Sequence, residues 1–333
     1  MQKKKKHVGR RILVFLLALI LLAAAAFVGI PMTESVKTKT ADRSADWMAD
    51  LDDALRLNEI VLPGTHDSAT QYVQLAFFSK CQAISVGEQL EAGFRYLDIR
   101  LGLADGGIKL MHGFTNCKTG PMPWDEALYL DTVLEQCYAF LRAHPSETVV
   151  FAVKQEHGDQ TAQDFAERLE AVIAGEPELW YLGNEIPTLG EARGKLVLMR
   201  RYVDRSLDEN AACAGVLLMW PNQNGHEDPA KHVEMTDNLS YRLWVQDRYE
   251  YGAEDKWTAF LKGLEEPAIG KDDLSIHFLS TKGTLPYGHP YYFSHALNTR
   301  LLELPTEKLR GWIVVDFGDA ALASAVWRAN FQN

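Results

Sequence analysis

Cysteine is scarce in this chain, and no pair stands at a CxxC or other metal-ligand spacing, so the spacing spells out no zinc-type site. No GxGxxG and no P-loop opens any helical stretch, which speaks against nucleotide binding. Repeat periods and low-complexity tracts are missing too. The proportions, 47% hydrophobic and 24% charged, are those of a globular protein with a real core. Basic residues are the minority beyond residue 32. Six of the 34 lysines and arginines lie in the first 11 residues, where there is no acid, so the remainder sets 28 of them against 45 acids, a net charge of −17. Such a body has no basic stripe to meet nucleic-acid phosphates, and it is poorly suited to tight electrostatic attachment to anionic lipid.

The clearest local feature is the N-terminus. A basic flank over residues 1–11, KKKKHVGRR at its heart, precedes the uncharged run ILVFLLALILLAAAAFVGI at 12–30. As a helix, those residues rise roughly 28 Å, about one hydrocarbon core. The flank predicts a cytoplasmic N-terminus, with the chain beyond residue 33 outside. A transmembrane anchor over 12–32 is the expectation. The alternative is a cleaved signal peptide, for which Ala24 and Ala26 offer a small-residue site. Either way the body is exported, so Cys81, Cys117, Cys137 and Cys213 lie where disulfides can form, with three pairings if all are used. Cys137 falls on an apolar helical face and reads as core.

Residues 33–45 are polar and lack apolar periodicity, which makes them a tether to a single domain over 46–333. From Trp47 onward β-like runs alternate with amphipathic stretches. The β runs are 59–64, 94–102, 107–113, 148–156, 195–202, 242–249, 276–281 and 311–319; helices are expected over 125–143, 160–174, 255–266 and 319–331. Several β runs are almost continuously hydrophobic, as in a parallel sheet covered on both faces. Eight of them with helices between favour an α/β fold of the (β/α)8 TIM-barrel type over an open sheet. Residues 100–111 leave no room for a helix, so the second and third strands are expected to join irregularly.

Polar residues recur at the C-terminal ends of these runs: His66, Arg100, His112, Lys154, Arg201, Asp247 and Asp316. In a barrel those ends ring one mouth, where active sites sit. Two imidazoles can act as a base and acid pair. An arginine between them suits a phosphoryl oxyanion, whose oxygens its fork matches. With no obvious nucleophilic Ser or Cys in the ring, the set points to in-line displacement at a phosphodiester.

The segments LPGTHDSAT (62–70), FRYLDIRLG (94–102), MHG (111–113), HPSETVVFAVKQE (144–156), ARGKLVLMRRY (192–202), VQDRY (245–249), PYYFSHALN (290–298) and GWIVVDFGD (311–319) resemble, in this order, bacterial phosphatidylinositol-specific phospholipase C. The resemblance runs from about Trp47 to the C-terminus. It implies that His66 is the general base for the inositol 2-hydroxyl, supported by Asp316, and that His112, oriented by Asp67, protonates the departing diacylglycerol oxygen. Arg100 would stabilise the phosphoryl oxygens. Lys154, Arg201, Asp247 and Tyr249 match positions that recognise the inositol head group. Glu156 is either a substrate contact through Lys154 or a loop acid, and Asp98 either a site residue or a structural one. Calcium-dependent relatives place an acidic ligand where Arg100 stands, so the resemblance implies no metal and no cofactor.

His226 and His232, and His289 and His295, are six apart rather than at the i, i+4 of a helical zinc pair. His144 reads as a residue capping or following a helix, His157 as a surface polar residue, and His277 as a satisfied structural histidine. Trp220, Tyr291, Tyr292 and Phe293 could dip into lipid or pack the core. The expected partner is phosphatidylinositol or a related inositol lipid at a membrane surface, met by a monomer. The alternatives are an inactive head-group-binding or lectin-like barrel, and the same chemistry on a glycosylated inositol lipid.

Overall fold

The hydrophobic runs become strands of one sheet. In the computed structural model, residues 2–33, 44–158, 161–202, 213–230, 233–283 and 289–331 are described. The chain divides into two units, Met1–Ser35 and Val36–Asn333. The first holds one helix, Gln2–Thr33, apolar enough over Gly9–Phe27 to cross a membrane by length and composition.

The strands of the second unit, in chain order, are β1 Leu62–Thr65, β2 Tyr96–Ala104, β3 Gly107–His112, β4 Thr115–Asn116, β5 Val149–His157 and β6 Trp180–Tyr181. They continue with β7 Leu196–Arg201, β8 Val216–Leu217, β9 Glu234–Asn238, β10 Tyr241–Gln246, β11 Leu274–Phe278 and β12 Trp312–Val315. Eight of these form a continuous parallel path, β8-β7-β5-β2-β1-β12-β11-β10. Helices Val86–Ala92, Leu130–Ala143, Ala162–Ile173, Ala253–Leu264, Pro290–Glu303 and Ala320–Trp327 follow β1, β2, β5, β10, β11 and β12. Among the described residues no ladder joins β8 to β9 or β10. Side chains cross that seam instead. Asn238 brackets the backbone of Met219, accepting from its N–H (3.0 Å) and donating to its carbonyl (3.2 Å), and Tyr241 Oη bonds Leu217 O at 2.5 Å.

Two of the expectations need correction. The run at 107–113 is not a barrel strand: β3 pairs antiparallel with β2, returning after only two residues, and β4 pairs antiparallel with β3. The path ends on β8, and β6 also lies parallel to β7; with two residues each, both are too short to register as a periodic run. Helices Val86–Ala92 and Pro290–Glu303 were not among those expected. The first is set by a capping box, in which Ser85 accepts from Glu88 N–H while Glu88 reaches back to Ser85 N–H.

Alternation along the strands aims the site. Tyr96, Val150, Ala152, Val197 and Met199 pack in one cluster. Their neighbours Leu97, Ile99, Phe151, Val153 and Leu198 pack in another, with Val133, Leu134 and Phe165 of the helices outside the sheet. With a period of two, Asp98, Arg100, Lys154, Glu156 and Arg201 continue the inward rows of β2, β5 and β7. His66, Asp247 and Asp316 lie two residues beyond Gly64, Val245 and Val314 in the same way. Gly64 leaves room for the Tyr96 ring, because a Cβ there would stand 2.8 Å from it.

Cys81, Cys117 and Cys137 are buried free thiols, so none of the three is in a disulfide. Of the tether, residues 34–43 lie outside the described residues, as does His232. Its last two residues are packed on the barrel, with the carbonyls of Ser44 and Ala45 accepting from buried Arg95.

Candidate active site

His66 follows β1 and extends its ladder, its N–H donating to Val315 O at 3.0 Å. The next residue, Asp67, turns the chain with φ +43°, in the left-handed region, which brings its carboxylate back beside the preceding imidazole. Asp316 Oδ1 lies 2.8 Å from His66 Nδ1. The carboxylate accepts, so Nδ1 carries the proton and Nε2 presents a lone pair, on which Arg100 Nη2 donates at 2.8 Å. Gln82 and Asn298 hold the backbone behind this pair: Gln82 Nε2 donates to the carbonyls of His66 (2.7 Å) and Val315 (3.0 Å), and Asn298 Nδ2 to Asp316 O (2.9 Å). Burial works to lower the His66 pKa and Arg100 adds to that, but Asp316 and Asp67 outweigh them and leave it raised.

Arg100 is caged by acids. Its guanidinium meets Asp98 Oδ2 (3.0 Å), Asp67 Oδ2 (3.1 Å) and Glu156 Oε1 (3.3 Å). Despite burial these hold it firmly charged. Glu156, its own desolvation overcome by Arg100 and Lys154, is pushed down to about 2, and Asp98 is likewise held low by Arg100 and Arg201. Asp67 differs. Its burial dominates, and its carboxyl is raised even with Arg100 and both histidines nearby.

His112 ends β3, where the hairpin folds its ring back to the mouth. Its Nδ1 lies 2.9 Å from the carbonyl of Ser79 and 3.2 Å from Asp67 Oδ2. Two acceptors favour the proton on Nδ1 and leave Nε2 for a further partner. The two imidazoles stand edge to face with centroids 6.4 Å apart, both partly open to solvent. The potential ligand atoms of His66, Asp67 and Cys81 lie within 4.8 Å of one another. A guanidinium already 3.1 Å from that carboxylate makes the spot a poor host for a cation.

A second tier surrounds this centre. Lys154 Nζ pairs with Glu156 Oε2 (2.6 Å), and Glu156 Oε1 accepts from Gly113 N–H (3.1 Å). Arg201 reaches Asp98 Oδ1 (3.3 Å) and lies 3.6 Å over the Trp220 ring. Trp220 Nε1 donates to Asp247 Oδ2 (3.1 Å), and Tyr249 Oη to Asn222 Oδ1 (2.8 Å). Ten of the eleven candidate residues are thus linked by ion pairs, hydrogen bonds and the Trp220 ring, while Tyr249, two residues beyond Asp247, bonds Asn222. Asp98 and Glu156 belong to this network as the acids that space the cations.

Of the two readings of Trp220, packing is the one observed: it is partly buried against the core and lies under Arg201. Tyr291, Tyr292 and Phe293 are half-buried. Among the described residues of the barrel unit, the most exposed aromatics are Phe78, Phe114 and Trp124. His144 caps the helix Leu130–Ala143 and pairs with Asp46 (2.7 Å), and His157 is exposed at the end of β5. His277 is structural but not satisfied. Neither nitrogen has a hydrogen-bond partner, and burial, helped by Arg310, drops its pKa to about 3. Gln82, Asn298 and the Ser79 carbonyl escaped sequence reasoning because they act through backbone contacts that no spacing encodes.

Residues 64–202 match the family described as phosphatidylinositol-specific phospholipase C, X domain. A 1-phosphatidylinositol phosphodiesterase of Staphylococcus aureus (strain Newman) is 27% identical over 289 residues, covering 82% of this chain and 88% of that protein. The Listeria monocytogenes protein of the same name is 28% identical over 323 residues, covering 91% and 88%. A solved structure of the S. aureus phosphatidylinositol-specific phospholipase C superposes with a TM-score of 0.67 at 25% identity, over 86% of this chain and 97% of that one. The chain carries a phosphatidylinositol-specific phospholipase C X domain and is a homologue of the bacterial enzymes of that name.

Proposed function

We propose that this protein is a phosphatidylinositol diacylglycerol-lyase, which cleaves phosphatidylinositol to diacylglycerol and inositol 1,2-cyclic phosphate without a metal. The observation that carries the reading is the pair of imidazoles beside Arg100, 6.4 Å apart, each with its Nδ1 held by an acceptor and its Nε2 left for proton transfer, that of His66 lying under the Arg100 guanidinium in the free enzyme. The inositol 2-hydroxyl oxygen attacks phosphorus as its proton passes to His66 Nε2. Asp316 stabilises the imidazolium that forms, as the acid of a catalytic triad does. The phosphate takes over the Arg100 N–H groups that rest on His66 in the free enzyme, and the guanidinium neutralises the charge gathering on the phosphoryl oxygens. The bond from phosphorus to the diacylglycerol oxygen breaks as His112 Nε2 delivers its proton. Lys154, Arg201 and Asp247 offer donors and acceptors to the inositol hydroxyls, and the Tyr249 ring can cover an apolar sugar face.

The N-terminal helix fits a single-pass anchor that leaves the barrel outside the membrane, with the inositol lipid as partner and the chain acting as a monomer. Phosphorus NMR of products from phosphatidylinositol in excess chelator tests the chemistry. A cyclic phosphodiester resonance is expected. Strict dependence on added calcium would overturn the role of Arg100, and turnover confined to a glycosylated inositol lipid would move the substrate.

A further inference from the structure

Asp247 and Tyr249 stand on a segment that leaves the sheet directly after β10, and beneath that segment lies a lysine with no solvent exposure. Lys256, in the helix Ala253–Leu264, is fully buried. An ammonium inside a protein is costly unless its protons are placed on acceptors, and a methionine would pack there without that cost. Its Nζ donates to Gln246 Oε1 (2.9 Å) and to Arg248 O (3.2 Å), the two residues flanking Asp247. Gln246 Oε1 also accepts from Arg248 N–H (3.0 Å), while its Nε2 donates to Phe278 O (2.8 Å). Asp247 N–H donates to Gln223 Oε1 (2.9 Å), and the Asp247 carboxylate accepts from Trp220, the platform of Arg201. Hydrogen bonds and one stacked ring therefore connect Lys256 to three of the four head-group positions. Tyr249 follows the Arg248 carbonyl that Lys256 grips.

We propose that Lys256 is a positioning residue for head-group recognition: by tying the backbone on both sides of Asp247, it holds that carboxylate and the Tyr249 ring in the mouth without touching substrate. The inference rests on the phospholipase reading. The charges that face Lys256 are Asp247 at the end of β10 and Asp316 after β12, which favour the ammonium, and Arg248, which opposes it. Burial dominates and lowers its pKa to about 7. As pH rises through neutrality the amine keeps N–H groups to donate but loses the charge that strengthens them. The grip on the head-group segment weakens with it.

Steady-state kinetics on a soluble inositol phosphodiester, from about pH 6 to 9, compare the wild type with Lys256→Met. At about pH 6 the variant should raise KM about tenfold, the worth of one charge-assisted hydrogen bond, with kcat within about threefold. Wild-type KM should climb through neutrality, and the variant should lose that climb. A residue that merely fills the core would lower the melting temperature and leave KM and its pH profile unchanged. That outcome overturns the proposal. Should Lys256→Met not fold, the wild-type profile decides: a KM flat across this range overturns the role and a climb supports it. A wild type with no turnover on the phosphodiester would defeat the phospholipase reading itself, an outcome distinct from turnover with normal KM in the variant.

Discussion

At the scale of single residues, the proposed base is defined by what holds its far nitrogen. Asp316 is the contact that lifts the His66 pKa against burial and Arg100. A base must be unprotonated to work, so kcat/KM is lost as pH falls through that raised value. Asp316→Asn removes the largest raising influence while burial and Arg100 remain. The acid limb of the pH–rate profile should therefore move to lower pH, with the plateau reduced by about 10²–10⁴-fold. A limb that stays in place would mean that another group governs it. The two histidines are separable by leaving group. If His112 protonates the departing oxygen, His112→Ala should be partly rescued by a substrate carrying an activated phenol, which departs without a proton. His66→Ala should not be, because a better leaving group does not activate the 2-hydroxyl. Equal losses on both substrates for both variants would mean that the acid is misassigned.

At the scale of elements, the sequence was informative where a strand is long and continuously apolar, and silent where it is short. The phase of His66, Arg100, Lys154, Arg201, Asp247 and Asp316 was readable because each ends a run whose period of two also sets its direction. His112 was placed in the mouth for a different reason than the phase suggested: its strand is the returning arm of a hairpin on β2, not a barrel stave. β8 escaped because two residues make no pattern, and with it went the role of Trp220, which only the stacking of Arg201 discloses. One further element was invisible. Arg95 and Glu147, both buried, pair at 2.9 Å and bind Met48 N–H, Ser44 O and Ala45 O, clamping the start of the barrel unit to β2 and the approach to β5. Arg95→Met leaves Glu147 buried without its counter-charge. It should cost about 3–5 kcal/mol in urea unfolding. It should also leave kcat unchanged in the protein that remains folded, since neither residue reaches the mouth. A cost below about 1 kcal/mol would place the pair among weak surface-like bridges.

At the scale of the whole molecule, charge and topology have to be reconciled with a lipid substrate. Residues 33–333 carry a net charge of −17, so long-range attraction to an anionic bilayer is not what would bring this barrel to its substrate. A tether would achieve the same end by raising the local concentration of enzyme at the surface, independent of ionic strength. The helix Gln2–Thr33 supplies a candidate, with Gly9–Phe27 apolar over the length that a hydrocarbon core requires and a basic flank that favours the cytoplasmic side. Protease added to intact cells should then digest the chain beyond residue 33 while a tag fused before Met1 survives in the membrane fraction. Removing residues 1–33 should release an active barrel whose turnover of a soluble phosphodiester is unchanged and whose turnover of lipid in the host membrane falls. Recovery from the medium of a chain beginning near residue 27 would instead establish that the helix is a leader removed on export, and the barrel would have to find its membrane by its own surface.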